Sequence, residues 1–160
     1  MTMFLASYTN ALDKKGRTSV PAGFRAELAA QSRQTIVVFA APNEPCLFAW
    51  GYDDFLQFAD RLKSLPALSA ERQRLGRALL AAAVPLPVDG DGRIMLPHHL
   101  CAHAHLTDGK ALFAGQGEYF TIWHPAQFER AQQADNAHYG ADLTALFEGQ
   151  TERQSGGQPT

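Results

Sequence analysis

Positive charge is not in excess in this chain: 14 Lys and Arg stand against 16 Asp and Glu, for a formal net charge of −2. Domains that bind nucleic acid usually carry a clear basic surplus, so the total alone points away from such a partner. Cysteine is scarce. Cys46 and Cys101 are the two present in 160 residues, too few for a disulfide framework. No apolar run approaches the roughly 20 residues of a membrane span. The longest, Ala78 to Leu86, is close to half alanine and ends at prolines. Residues 1–12 lack a basic stretch followed by a long apolar one, so no secretory leader is expected. Enzyme signatures are missing too. There is no G-x-S-x-G and no P-loop, and Gly115-x-Gly117 lacks a third glycine and a following helix. What remains, at 46% hydrophobic and 19% charged residues, is an ordinary globular composition. The expectation is a cytoplasmic, non-membrane protein with reduced thiols, either one domain or two small halves sharing a core.

The charge is unevenly placed. Residues 1–40 hold Lys14, Lys15, Arg17, Arg25 and Arg33 against Asp13 and Glu27, whereas residues 80–160 hold four basic and nine acidic residues. A basic first third and an acidic last half are hidden in the near-neutral total. Such asymmetry suggests a polyanionic partner for the basic end; a solvated surface with a chance imbalance is the alternative.

An internal repeat resets the fold expectation. Asp13 to Ala26, DKKGRTSVPAGFRA, aligns without gaps on Asp89 to Ala102, DGDGRIMLPHHLCA. Asp, Gly, Arg, Pro and the final Ala coincide, with apolar Val20 and Leu96 before the prolines and apolar Phe24 and Leu100 after them. Further on, Trp50-x4-Phe55 matches Trp123-x4-Phe128. Two copies are too few for a solenoid and suggest half-domains related by a pseudo-twofold, each unable to bury its apolar face alone.

Local chemistry fills in each copy. Phe4 to Leu12 contains alternating apolar positions. At Asp13 to Gly16 the carboxylate can bond backbone two residues on and glycine supplies positive φ, so a hairpin turn is expected. Arg17 to Val20 returns as a strand. Pro21 suits the first turn of a helix carrying Phe24 and Leu28 on one face. Ile36–Phe39 and Cys46–Trp50 read as strands. The second copy repeats the series with Val84–Val88, a turn at Asp89 to Gly92, Arg93–Leu96, a helix from Pro97, and strands Ala111–Ala114 and Tyr119–Trp123. Asp53–Leu65 and Ser69–Ala83 look helical, the first with a stripe of Phe55, Phe58, Leu62 and Leu65. The polar stretch from Gly149 is expected to be disordered. The resulting organisation is repeat 1 over 7–52, connecting helices over 53–82, repeat 2 over 83–126, and C-terminal helices with a tail over 127–160.

The segment LDKKGRTSVPAGFRAEL, its echo VDGDGRIMLPHHL, the FAGQGEYFTIW strand pair and a leading Met3-Phe4-Leu5 together resemble the MraZ family. The likeness covers about residues 3–130. A single Asp-x-x-Gly-Arg is a weak signal; two in register, each followed by an apolar-Pro pair and a Trp-x4-Phe, form a strong one. The resemblance implies an α+β, β-rich fold of two SpoVT/AbrB-like half-domains forming a pseudo-twofold, swapped-hairpin barrel with flanking helices. It implies a nucleoid-associated regulator, with repression the family expectation, of the bacterial division and cell-wall gene cluster. It also implies assembly into homo-oligomeric rings on short repeats of double-stranded promoter DNA. Because the family usually begins at Met-Phe, Met3 is an alternative initiator.

Within that resemblance Arg17, beyond its turn, is the expected reader, since a guanidinium can hold a guanine edge or a phosphate in two bonds. Lys14 and Lys15 flank it as point charges, and a β-ribbon is a known way into a groove. Arg25 joins them from the following helix. Asp13, Gly16, Asp89 and Gly92 are assigned to fixing the turns, and a simple Asp13–Arg17 brace is the plainer alternative. The second turn has acid where the first has lysine, so Arg93 is either a weaker contact or a brace, and the first copy is expected to dominate. About two to four phosphates neutralised per chain is too few for tight binding at physiological salt, so several protomers must act together.

Two other readings compete. A ring-forming protein scaffold with weak DNA affinity would fit the acidic second half. His98, His99, Cys101, His103 and His105 offer i, i+4 pairs, His99/His103 and Cys101/His105, that could hold a metal in a metal-responsive regulator. An exposed helix with a buried Cys101 is the plainer reading of that cluster. Cys46, Trp50 and Trp123 read as core. No catalytic residue, cofactor, metal or small-molecule substrate is expected.

Overall fold

Strand β1 (Ser7–Ala11) enters the first Asp-x-x-Gly-Arg turn and β2 (Arg17–Ser19) leaves it, followed by α1 (Ala22–Leu28), β3 (Thr35–Ala40) and β4 (Cys46–Gly51). The linking region holds α2 (Tyr52–Asp60), a 3-10 turn over Arg61–Ser64, α3 (Ala70–Leu75) and a π turn over Gly76–Leu80. The second copy supplies β5 (Val84–Pro87), β6 (Arg93–Met95), α4 (His98–His103), β7 (Lys110–Gly115) and β8 (Phe120–Trp123), before α5 (Pro125–Ser155). The computed structural model describes residues 1–155, with side chains through residue 149.

The strands form an antiparallel six-stranded sheet, β1-β7-β8-β4-β3-β5, and a separate two-stranded ribbon, β2-β6. The repeat is visible in the pairing itself. β1 lies on β7 as β5 lies on β3, and β4 and β8 meet in the middle with Phe48 opposite Thr121. In the ribbon Thr18 faces Ile94, Val20 N–H donates to Gly92 O at 2.9 Å, and Leu96 N–H donates to Gly16 O at 2.8 Å. Each contact is matched by its counterpart from the other copy.

This pairing corrects two expectations. No closed barrel forms among the described residues: the sheet is open, with β1 and β5 at its edges. Nor does β1 pair along its own return strand, since the two share a single bridge, Leu12 to Thr18. Return strands of three residues satisfy their backbone groups against each other across the repeat, while β1 takes β7 as its partner.

Period-two alternation places the core on both faces of the sheet. Ile36, Val38, Leu47, Ala49, Phe113, Phe120 and Ile122 pack with Phe24 and Leu28 of α1, Leu100 of α4, and Val20, Ile94 and Leu96 beside the ribbon. The opposite face carries Val37, Phe39 and Trp50 under Phe55 and Phe58 of α2. Trp50 is stacked between Phe58 and Tyr119, with centroids 4.8 and 4.9 Å away, and Trp123 is 5% exposed, so both tryptophans are core as expected. Pro21 and Pro97 sit one position earlier than expected, as the extended residue before each helix.

α5 is a unit of its own. It is one helix of 31 residues, where several helices and a tail from Gly149 were expected. Its backbone stays helical through Ser155, and residues 156–160 lie outside the described residues. No described helix is long and apolar enough to cross a membrane.

Candidate nucleic-acid interface

Both turns are built on an aspartate that caps its own loop. Asp13 Oδ1 accepts from Lys15 N–H at 2.9 Å and Arg17 N–H at 2.8 Å, and Gly16 N–H closes the turn on Asp13 O at 3.0 Å. Asp89 Oδ1 accepts from Asp91 and Arg93 N–H, each at 2.9 Å, and Gly92 N–H closes on Asp89 O. These N–H donors, led by those of Arg17 and Arg93, hold both carboxyls below the usual 3.8. Gly16 and Gly92 have φ of +89° and +77°, a region L side chains enter only with strain.

The side chains differ between the turns. Arg17 Nε donates to Asp13 Oδ2 at 2.8 Å, with about half of each side chain exposed. The brace foreseen as an alternative is therefore present, and it leaves the outer guanidinium edge in solvent. Arg93 makes no ion pair among the described residues; its turn is fixed by backbone donors alone.

β2 and β6 alternate strictly. Thr18 and Ile94 point inward, and Arg17, Ser19, Arg93 and Met95 share the solvent face. Arg17 stands opposite Met95 and Arg93 opposite Ser19. The two arginines occupy diagonal corners, their Cα atoms roughly 8 Å apart by strand geometry. Lys14 and Lys15 are exposed at the tip of the first turn.

Arg25 is not where the sequence suggests. It belongs to the first copy, yet a Cβ built on Gly92 would lie 2.6 Å from its Cδ and Nη1. Its side chain therefore rests on the second turn. The cause is the exchange of partners: β2 pairs with β6, so α1 starts beside Gly92 rather than beside Gly16. The cations do not gather on one turn and its helix. Lys14, Lys15 and Arg17 serve one corner; Arg25 and Arg93 serve the other. Cys101 takes the equivalent place at the first turn and lines a groove of about 680 Å³ with Lys14, Lys15 and His98.

Sequence reasoning missed Ser19 and Met95 as members of this face. The in-out alternation of Arg93, Ile94, Met95 and Leu96 was the available signal.

The histidine cluster assembles only in part: His99 and His103 both lie in α4, one turn apart. α4 ends at His103, and His105 has φ +54°, so Cys101 and His105 are not one turn apart on a helix. His103 Nε2 lies 3.0 Å from Glu44 O. Among the described residues no three of His, Cys, Asp and Glu gather as a metal site. Cys46 is buried, and burial pushes its thiol up to about 12, which suits core and not nucleophile.

The model of the family described as "MraZ protein, putative antitoxin-like" matches residues 3–78 and again 79–147, one match over each copy of the repeat. The chain belongs to the MraZ family. It is 42% identical over 133 residues to a protein of Gluconacetobacter diazotrophicus, covering 81% of this chain and 84% of that one. It is 39% identical over 138 residues to one of Gluconobacter oxydans, covering 84% of each. With one of Rickettsia akari it shares 35% over 130 residues, 81% of this chain and 87% of that one. Each of these MraZ relatives is named a transcriptional regulator.

Proposed function

We propose that this protein is a transcriptional regulator, without catalysis, that binds double-stranded promoter DNA through the outer face of the β2–β6 ribbon. The observation that carries this reading is the pair of arginines at diagonal corners of that face, each with further cations beside it. In this reading Arg17 and Arg93 reach base edges, and Lys14, Lys15 and Arg25 take phosphates. Asp13, Gly16, Asp89 and Gly92 hold the turns at fixed height over the groove. The pairing of the two return strands with each other supports a swapped-hairpin arrangement of two half-domains, which we take as repeat 1 over 7–52 and repeat 2 over 83–126. Helices over 53–82 connect them and 127–160 follows.

Five cations per chain support modest affinity alone, so we infer a homo-oligomeric ring engaging several short promoter repeats at once. From the family resemblance we infer that the target is the division and cell-wall cluster, the sense repression, and the place the cytoplasm, at the nucleoid. A mobility-shift titration of the DNA upstream of its own gene against salt tests this. A linear fall of log K with log salt is expected; absence of any salt-dependent shift on that DNA would refute it.

A further inference from the structure

The outer face of the ribbon holds four side chains, and three are polar. The fourth, Met95, is 52% exposed. It is not left out for want of alternation: Ile94 beside it is buried at 2%, and Leu96 at 1%. A three-residue strand has one outward position besides its arginine, and this chain fills it with an apolar side chain. Its counterpart in the other copy is Ser19. The two corners of the ribbon are therefore chemically unlike: Arg17 has Met95 across from it, and Arg93 has Ser19.

An unbranched thioether is flexible enough to follow a neighbouring surface. In the major groove the apolar feature available to it is the 5-methyl group of thymine, while a serine hydroxyl can bond any base edge. We propose that Met95 reads a thymine 5-methyl group next to the base pair held by Arg17, so that one chain distinguishes the two ends of the element it covers. This rests on the ribbon being the DNA-reading face. Despite their pseudo-twofold frame, the two corners would then demand different bases, and a single chain would favour an asymmetric element with a defined direction.

The test uses the full-length protein and duplexes of its own upstream DNA in which each thymine within the footprint is replaced, one at a time, by deoxyuracil. Only the methyl group is lost. Wild-type protein is expected to bind about fourfold more weakly at one position per element, the transfer value of one methyl. Met95→Ser is expected to bind thymine and uracil equally at that position and to keep its other base preferences. A 5-methylcytosine there should cost the wild type less than cytosine. Equal binding of thymine and uracil at every position, or a preference that survives in Met95→Ser, overturns the proposal. So does a change of oligomeric mass in Met95→Ser, which would make Met95 a contact between copies. If wild-type protein shifts none of these duplexes, the DNA-reading function fails and this inference falls with it.

Discussion

Arg25 of the first repeat lies against Gly92 in the turn of the second, so close that a Cβ on the glycine would sit 2.6 Å from the arginine's Cδ and Nη1. One contact thus joins a helix and a turn from opposite halves of the chain and sets the cation beside Arg93. Arg25→Ala and Arg93→Ala should therefore weaken protection at the same end of each DNA element. Lys14→Ala and Lys15→Ala should weaken it at the other end. Hydroxyl-radical footprinting of the four variants checks this; protection lost at one end by all four would contradict it. Each lost phosphate contact should also lower the salt slope by about 1.

The two turn glycines should differ in how much alanine costs. Both have positive φ, worth about 1–2 kcal/mol to an L residue. At Gly92 the obstacle is a long side chain that can swing away. At Gly16 a Cβ would lie 2.2 Å from Leu96 O, a backbone atom held in the ribbon. Thermal unfolding should show Gly16→Ala as the more damaging of the two, and Gly92→Ala should lose DNA affinity beyond its loss of stability.

Thr18 is 2% exposed, and its hydroxyl has no hydrogen-bond partner among the described residues. Ile94 stands opposite it and occupies the same place in the other repeat. Thr18→Val keeps the shape and removes an uncompensated polar group, so it should stabilise by about 1 kcal/mol. Urea denaturation measures this; a lower midpoint for the valine variant would contradict the inward placement of Thr18.

Acid should weaken the fold through the turns. Asp13 and Asp89 are held below the ordinary 3.8 chiefly by backbone N–H donors, those of Arg17 and Arg93 respectively. A carboxyl lowered in the folded state adds stability above its unfolded value and loses it as pH falls through the folded value. The urea midpoint should thus drop below about pH 4. A double Asp13→Asn, Asp89→Asn variant should begin lower at neutral pH and fall less steeply. Asp53 and Asp108, lowered by Ser32 and His124, keep some slope in that variant. Parallel curves for the two proteins would contradict the role given to the turns.

Strand positions and the two turns are legible in the sequence because each rests on local chemistry: the unbroken apolar run of Ile36 to Phe39, the carboxylate and glycine of Asp13 and Gly16, the proline at the start of each short helix. Partner choice is not local. Nothing within LDKKGRTSVP says that Arg17–Ser19 will pair 76 residues away with Arg93–Met95. The same exchange moves Arg25 from the turn it follows in sequence to the turn it touches in space. The helix Pro125–Ser155 runs through Gly149, where polar composition suggested a disordered tail. The cost of one glycine in a long helix is about 1 kcal/mol, too small to end it alone.

Affinity of the Arg17→Ala variant for the DNA upstream of its own gene tests the central assignment most directly. A bidentate arginine contact to a base is worth about 1–3 kcal/mol, and several protomers multiply the loss. At fixed salt, Arg17→Ala should bind at least about tenfold more weakly than wild type, with unchanged oligomeric mass and unfolding temperature. Wild-type affinity in that variant would show that the β2–β6 face does not read DNA.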